Sequence, residues 1–181
     1  MSNALDRYTR ASEGFETRLR GVGPDQWTAS TPCEDWNVSA LVTHLIGSHH
    51  LMLSTLDQAH DTPGEGDDLL PVWSATRTAV LDALGDETTA SKIVASPFGE
   101  MPFSGLVGGL LCGDTLFHTW DLARATGQDE TLDGGLCATQ LEMMLPLDEL
   151  IRTPGFFGPK LDASDDATSQ SKLLLFGGRR P

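Results

Sequence analysis

Apolar residues return at helical spacing along most of this chain. Leu5, Tyr8, Ala11, Phe15 and Leu19 mark a first helix from about Ala4 to Leu19. Residues 21–32 carry Gly, Pro, Ser and Thr and read as a loop. Asn37 is a good N-cap for a second helix reaching about Leu56. Its apolar residues, Val38, Leu41, Val42, Leu45, Ile46, Met52, Leu53 and Leu56, cover more than one face, which predicts burial on several sides. After the loop DTPGEGDD, Trp73, Thr76, Val80 and Leu84 give one stripe to a third helix over 69–84. Residues 91–103 contain Pro97, Gly99 and Pro102 and cannot be helical throughout; Ile93-Val94 reads as a short extended piece. A fourth helix spans about Ser104 to Ala125, with Gly127 as its stop, and a fifth about Gly134 to Ile151.

Few strand signals and four or five helices predict an all-α bundle in a single domain over 1–181. The bundle occupies about 1–152. An irregular C-terminal arm follows from about 153 to 181, expected to dock back from Gly155 onward through Phe156, Phe157 and Leu173 to Phe176.

The fourth helix carries the strongest chemical signal. Alternating steps of four and three pick out Val107, Leu111, Asp114, His118, Asp121 and Ala125, an inward seam that is apolar at both ends and polar in the middle. A buried carboxylate is costly unless it is paired or binds metal. Asp114 and His118 are one turn apart and within about 40° of each other around the helix axis, so both can reach one cation. A metal-free Asp–His hydrogen bond satisfies the same spacing.

A third ligand must come from elsewhere, and the second helix offers His44, His49 and His50. His44 shares a stripe with Leu41, Gly47, Ser48 and Leu51, and His49 lies on the seam of Val38, Val42, Leu45 and Met52. The two histidines differ by about 140° around the helix, so they cannot serve one site, and periodicity does not choose between them. Gly47 and Ser48, one turn after His44, would leave room for a ligand. His50 and His60 are expected to be solvated. Asp121 is either an acceptor orienting a ligand or a partner for Arg124, and Trp36 and Trp120 are either core or pocket wall.

Charge and cysteine content narrow the function. With 12 basic and 26 acidic side chains, the net charge is -14, which argues against a phosphate-binding surface and hence against nucleic acid. No run of about 18 apolar residues spans a membrane. The N-terminal stretch is too charged for a secretory core, so a cytoplasmic location is expected. Cys33, Cys112 and Cys137 form no CxxC pair and read as structural thiols. Cys33 stands out, in a loop beside a helix start, where thiols can be activated. Its sequence distance from His44 argues against a direct ligand role.

The segments TPCEDWNVSALVTHLIG and GDTLFHTWDLARATGQ resemble the metal-binding domain of mycothiol-dependent maleylpyruvate isomerases. The whole chain, including the ending from Pro154 to Pro181, is similar to an actinobacterial family of single-domain relatives in the DinB-like superfamily of four-helix bundles. The resemblance implies that His44, rather than His49, is a metal ligand, and that Asp114 and His118 match the family's acid-x-x-x-His pair. In the isomerases the acid is a glutamate, so Asp114 is a departure. The isomerases also carry a second domain, which a chain of this length is not expected to contain.

The resemblance implies a thiol-dependent transferase or isomerase acting on a small electrophile, with mycothiol as cosubstrate. Three protein ligands leave a coordination position open. Zinc is the first choice for a His2Asp set, with nickel, manganese and iron as alternatives. The competing reading is a non-catalytic metal-binding or stress-response module of the same fold, and a third is a bundle with an empty, vestigial site. Assembly is left open, a homodimer included.

Overall fold

The computed structural model describes residues 3–64, 66–152 and 157–181. They group into two compact units, Met1–Asp129 and Glu130–Pro181. The first is helical apart from one small hairpin. Helix α1 spans Ala4–Arg20, α2 Val38–Ser54 and α3 Leu69–Gly85. A short α4, Glu87–Ser91, leads into the antiparallel strands β1, Ile93–Ser96, and β2, Gly99–Pro102. Helix α5, Phe103–Leu106, continues without a break through a π turn, Val107–Leu111, into α6, Cys112–Thr126.

The helix starts follow from side-chain caps. Asn3, Asn37 and Asp68 each accept a backbone N–H that the first turn leaves unpaired. Gly127 closes α6 at φ 68°, a left-handed conformation that glycine adopts without Cβ strain. Around the bundle the order is α1, α3, α2, α6, each packed on its two neighbours. One end of the core joins Tyr8, Leu53, Val80, Phe103 and Leu111. The other joins Phe15, Leu41, Leu45, Trp73 and Leu122. Each fully buried aliphatic side chain here contributes about 1.5–3 kcal/mol. The all-α four-helix bundle expected from periodicity is therefore the observed fold.

The π turn packs against the start of α1. A Cβ on Gly108 would lie 2.4 Å from Arg7 Nη2 and 3.4 Å from Ala4 Cβ, so a larger residue would force a shift there. A helix that widens locally can bring its glycines against a neighbour while the turns on either side keep their packing.

In the second unit, α7, Gly134–Met144, is capped by Asp133, and two 3-10 turns follow at Leu145–Leu147 and Leu150–Arg152. The arm is irregular from Phe157 to Ala167 and then forms α8, Ser169–Phe176, capped by Thr168. Helix α8 packs on α7 and fully buries Leu173 and Leu174. The Arg152 guanidinium lies 4.7 Å from the Phe176 ring centroid and donates to its carbonyl at 2.8 Å. Gly155 and Phe156, expected to begin the docking segment, lie outside the described residues.

Candidate metal centre

The loop before α2 builds one side of the site. Thr31 N–H and Thr31 Oγ1 both donate to the Trp36 carbonyl, at 3.1 and 3.0 Å. Cys33 N–H donates to Thr31 Oγ1 at 3.1 Å, and Trp36 N–H to the Cys33 carbonyl at 3.1 Å. Asp35 takes φ 64°, the left-handed region that Asp tolerates better than most residues. This tight turn delivers Asn37 to its capping position, and two turns later α2 presents His44 toward α6.

Helix α6 supplies the other side. The i,i+4 spacing puts Asp114 and His118 on one face, with Asp114 Oδ1 3.2 Å from His118 Nε2. The same oxygen lies 3.7 Å from His44 Nε2. The imidazole rings of His44 and His118 meet edge to face, with centroids 5.1 Å apart. Donor atoms of His44, Asp114 and His118 all lie within 4.8 Å of one another. The structure thus brings together all three residues singled out in the sequence. Ligands about 2.1 Å from a tetrahedral ion stand about 3.4 Å apart, and the two measured separations bracket that spacing. Two neutral imidazole nitrogens and one carboxylate oxygen are also a donor set suited to a borderline divalent cation.

His118 is nearly buried, whereas His44 and Asp114 keep about a third of their side-chain surface (36% and 28%), so the cluster opens to one side. Ser48 Oγ is 3.5 Å from His44 Nε2, and a Cβ on Gly47 would meet nothing within 4 Å. The room expected beside His44 is present. The Trp36 ring covers the pair, with its centroid 4.4 Å from that of His44 and 5.8 Å from that of His118.

On the far side of His118, Nδ1 donates to Asp121 Oδ2 at 3.1 Å, and the Asp121 side chain is fully buried. The hydrogen bond to His118 that an orienting role for Asp121 requires is thus present. The Arg124 guanidinium sits 4.2 Å over the ring of Trp120, which is core. Burial pushes the Asp114 carboxyl upward, but the His118 charge and hydrogen bonds from His118 and His44 outweigh it and hold it well below the usual range. Burial pushes His118 downward, yet Asp114, with help from Asp121 and Cys33, raises it well above an ordinary histidine. The His118 ring thus has a carboxylate at each nitrogen, Asp114 at Nε2 and Asp121 at Nδ1.

Three sequence expectations need correction or completion. His49 faces the core, fully buried, and not the site. His50 is not solvated: it is buried, and its Nε2 pairs with Thr76 Oγ1 at 2.8 Å across to α3; His60 is exposed as expected. Cys33 is only half-buried, unlike Cys112 and Cys137, and lies at the site despite its distance in sequence. Its Sγ is 3.3 Å from Asp121 Oδ2 and 3.9 Å from His118 Nδ1. Counting turns along α2 missed this, because the loop folds across to α6. The signal available was the TPCEDW turn itself, which carries Trp36 to the same place.

The family model of the mycothiol maleylpyruvate isomerase N-terminal domain matches residues 8–123, more than half of the chain. The chain belongs to that family. The match contains the whole cluster, from Cys33 through His44 to Asp121. Two relatives from Mycobacterium tuberculosis, "Uncharacterized protein MT0763" of strain CDC 1551 / Oshkosh and "Uncharacterized protein Rv0738" of strain ATCC 25618 / H37Rv, are each 29% identical over 162 residues. Each alignment covers 90% of this chain and 86% of the relative. No solved structure matches the chain. Among the described residues, no helix is long and apolar enough to cross a membrane.

Proposed function

We propose that this family member binds one divalent cation through His44 Nε2, Asp114 Oδ1 and His118 Nε2, and uses the site for thiol-dependent transfer or isomerisation of a small electrophile. The observation that carries the reading is the convergence of these three donors from two helices on one partly open spot. Family membership supports a mycothiol-type thiol as cosubstrate. Zinc is the first choice of ion, ahead of nickel, manganese and iron.

When bound, such an ion supplies the Lewis acidity that lowers the pKa of a thiol toward neutrality. The protein's part is positional. Asp121 accepts a hydrogen bond from His118 Nδ1–H, which would fix the tautomer and leave the Nε2 lone pair for a cation beside Asp114. Trp36 packs on the rings of His44 and His118, limits their rotation and keeps water off that side. The exposed edges of His44 and Asp114 mark the side from which a small molecule enters.

A non-catalytic metal-binding or stress-response role is the second reading. The same three-donor cluster serves it equally, since holding an ion needs no thiol or electrophile. Two measurements separate these readings. Elemental analysis of protein purified without added metal should find one ion per chain, lost in His118→Ala. Calorimetry of the metal-loaded protein with mycothiol should show binding; none at millimolar thiol eliminates the thiol-dependent reading and leaves the metal site standing.

A further inference from the structure

We infer that Cys33 is a positioning residue for the metal centre, acting through Asp121 on His118 rather than as a ligand. The inference rests on the proposed metal site and adds a third tier to it. A single buried carboxylate oxygen, Asp121 Oδ2, accepts two hydrogen bonds: one from Cys33 Sγ–H at 3.3 Å and one from His118 Nδ1–H at 3.1 Å. The thiol reaches the carboxylate from the loop, and the imidazole reaches it from within α6. The oxygen is thereby held between two elements that are 85 residues apart at Cys33 and His118.

Geometry argues against direct ligation at the proposed centre. Cys33 faces Nδ1 of His118, whereas His118 turns Nε2 toward Asp114. The two nitrogens lie on opposite edges of the ring. A cation held by His44, Asp114 and His118 therefore has the imidazole between itself and the sulfur. Cys33, His118 and Asp121 also bring donor atoms within 4.8 Å of one another; we assign this trio to orienting His118 through Nδ1 rather than to holding an ion.

The placement of Cys33 is independent of α6. Its N–H bonds to Thr31 Oγ1 and its carbonyl accepts from Trp36, with Asp35 turning the chain between them. The same turn lays Trp36 on both histidine rings. The TPCEDW loop thus sets His118 from two directions, by stacking on its face and by anchoring the acceptor of its Nδ1 proton. Without the thiol, Asp121 loses a donor that fixes its rotation, and His118 loses part of its constraint.

Cobalt affinity, measured by chelator competition, tests this on the full chain and on C33A, C33S, D121N and the double variant C33A/D121N. One net hydrogen bond corresponds to a loss of about three- to tenfold for C33A. The C33S hydroxyl should restore most of it. D121N should cost about 10–100-fold, the usual effect of removing a partner of a ligating histidine. The decisive number is the double variant. Action through Asp121 requires C33A/D121N to match D121N alone, because the relay is already broken. Factors that multiply instead would assign Cys33 to loop stability and overturn the inference. So would an unchanged C33A affinity, or a sulfur-to-cobalt charge-transfer band in the parent that C33S abolishes. In the metal-free protein, the His118 ring nitrogen resonances should move in C33A and return toward the parent in C33S; unmoved signals overturn the relay. Absence of cobalt binding by the parent sinks the metal reading itself, whereas binding insensitive to Cys33 sinks this inference alone.

Discussion

Lowering the pH from 7 to 5 should destabilise this protein through His49, a histidine with no part in the metal centre. Its ring is fully buried between Tyr8 of α1, at 5.7 Å, and Trp73 of α3, at 5.0 Å. Nδ1–H donates to the Leu45 carbonyl at 2.7 Å. Nε2 has no partner among the described residues, so protonation would place an unpaired N–H and a charge in the core. Burial lowers the pKa to about 4, only partly offset by the Leu45 bond and the charge of Asp114, while His50 and His44 push it further down. The folded pKa is thus depressed below the ordinary histidine value of 6.5. Between these values the unfolded chain takes up a proton that the folded chain refuses. Stability therefore falls as pH drops through 6.5 and stops falling below about 4. The full shift corresponds to about 3.4 kcal/mol, of which about 2 kcal/mol is lost by pH 5. That is a large share of a typical 5–15 kcal/mol. Urea unfolding followed by tryptophan fluorescence, in EDTA, measures it. His49→Phe, which cannot protonate, is the control. His50, also lowered by burial, and His118, which acts in the opposite sense above pH 6.5, are common to both proteins and cancel. A parent that loses no more stability than His49→Phe over this range would refute the argument.

Other consequences are smaller or more local. Asn37→Ala removes the cap of α2 and should cost about 1 kcal/mol in the same unfolding assay. Leu173→Ala, at a fully buried position of α8, should cost about 2–5 kcal/mol and lower the melting temperature; an unchanged melting curve would show that α8 is not held by its packing. Zinc at a hundred times its dissociation constant should stabilise the parent by about 2.7 kcal/mol. EDTA should reverse that gain, and His118→Ala should show neither effect.

Much of this architecture was legible because α1 and α3 each bury one well-marked stripe, whereas α6 is buried on nearly every face. The inward Asp114–His118 pair followed from the α6 seam, since i,i+4 residues share a face wherever the helix points. Helix α2 resisted such reading. It is apolar on most of its surface, so periodicity left His44 and His49 equivalent, and the TPCxxWxVxxLxxHL resemblance was needed to favour His44. The Ile93-Val94 extended piece was visible, but its partner strand was not, because GEMP carries no alternation. Helix α4 was too short to register. The burial of His50 and the approach of Cys33 to Asp121 depend on which helix or loop crosses nearby, and no local pattern encodes that.

The π turn at Val107–Leu111 has a bearing on how the family can vary. A widened turn absorbs one more residue than an α turn. Removing one of its two glycines would therefore convert α5 and α6 into a plain α-helix, with Phe103 and the hairpin keeping their face relative to Asp114 and His118. Asp114 and His118, both after the π turn, would keep their mutual spacing and their place opposite His44, while the contact of Gly108 with α1 changed. Insertions and deletions between Leu106 and Cys112 are thus a route by which relatives can change how this helix meets α1 at Gly108 while both flanks keep their packing, and a one-residue gap there in an aligned relative should mark a chain with a straight helix.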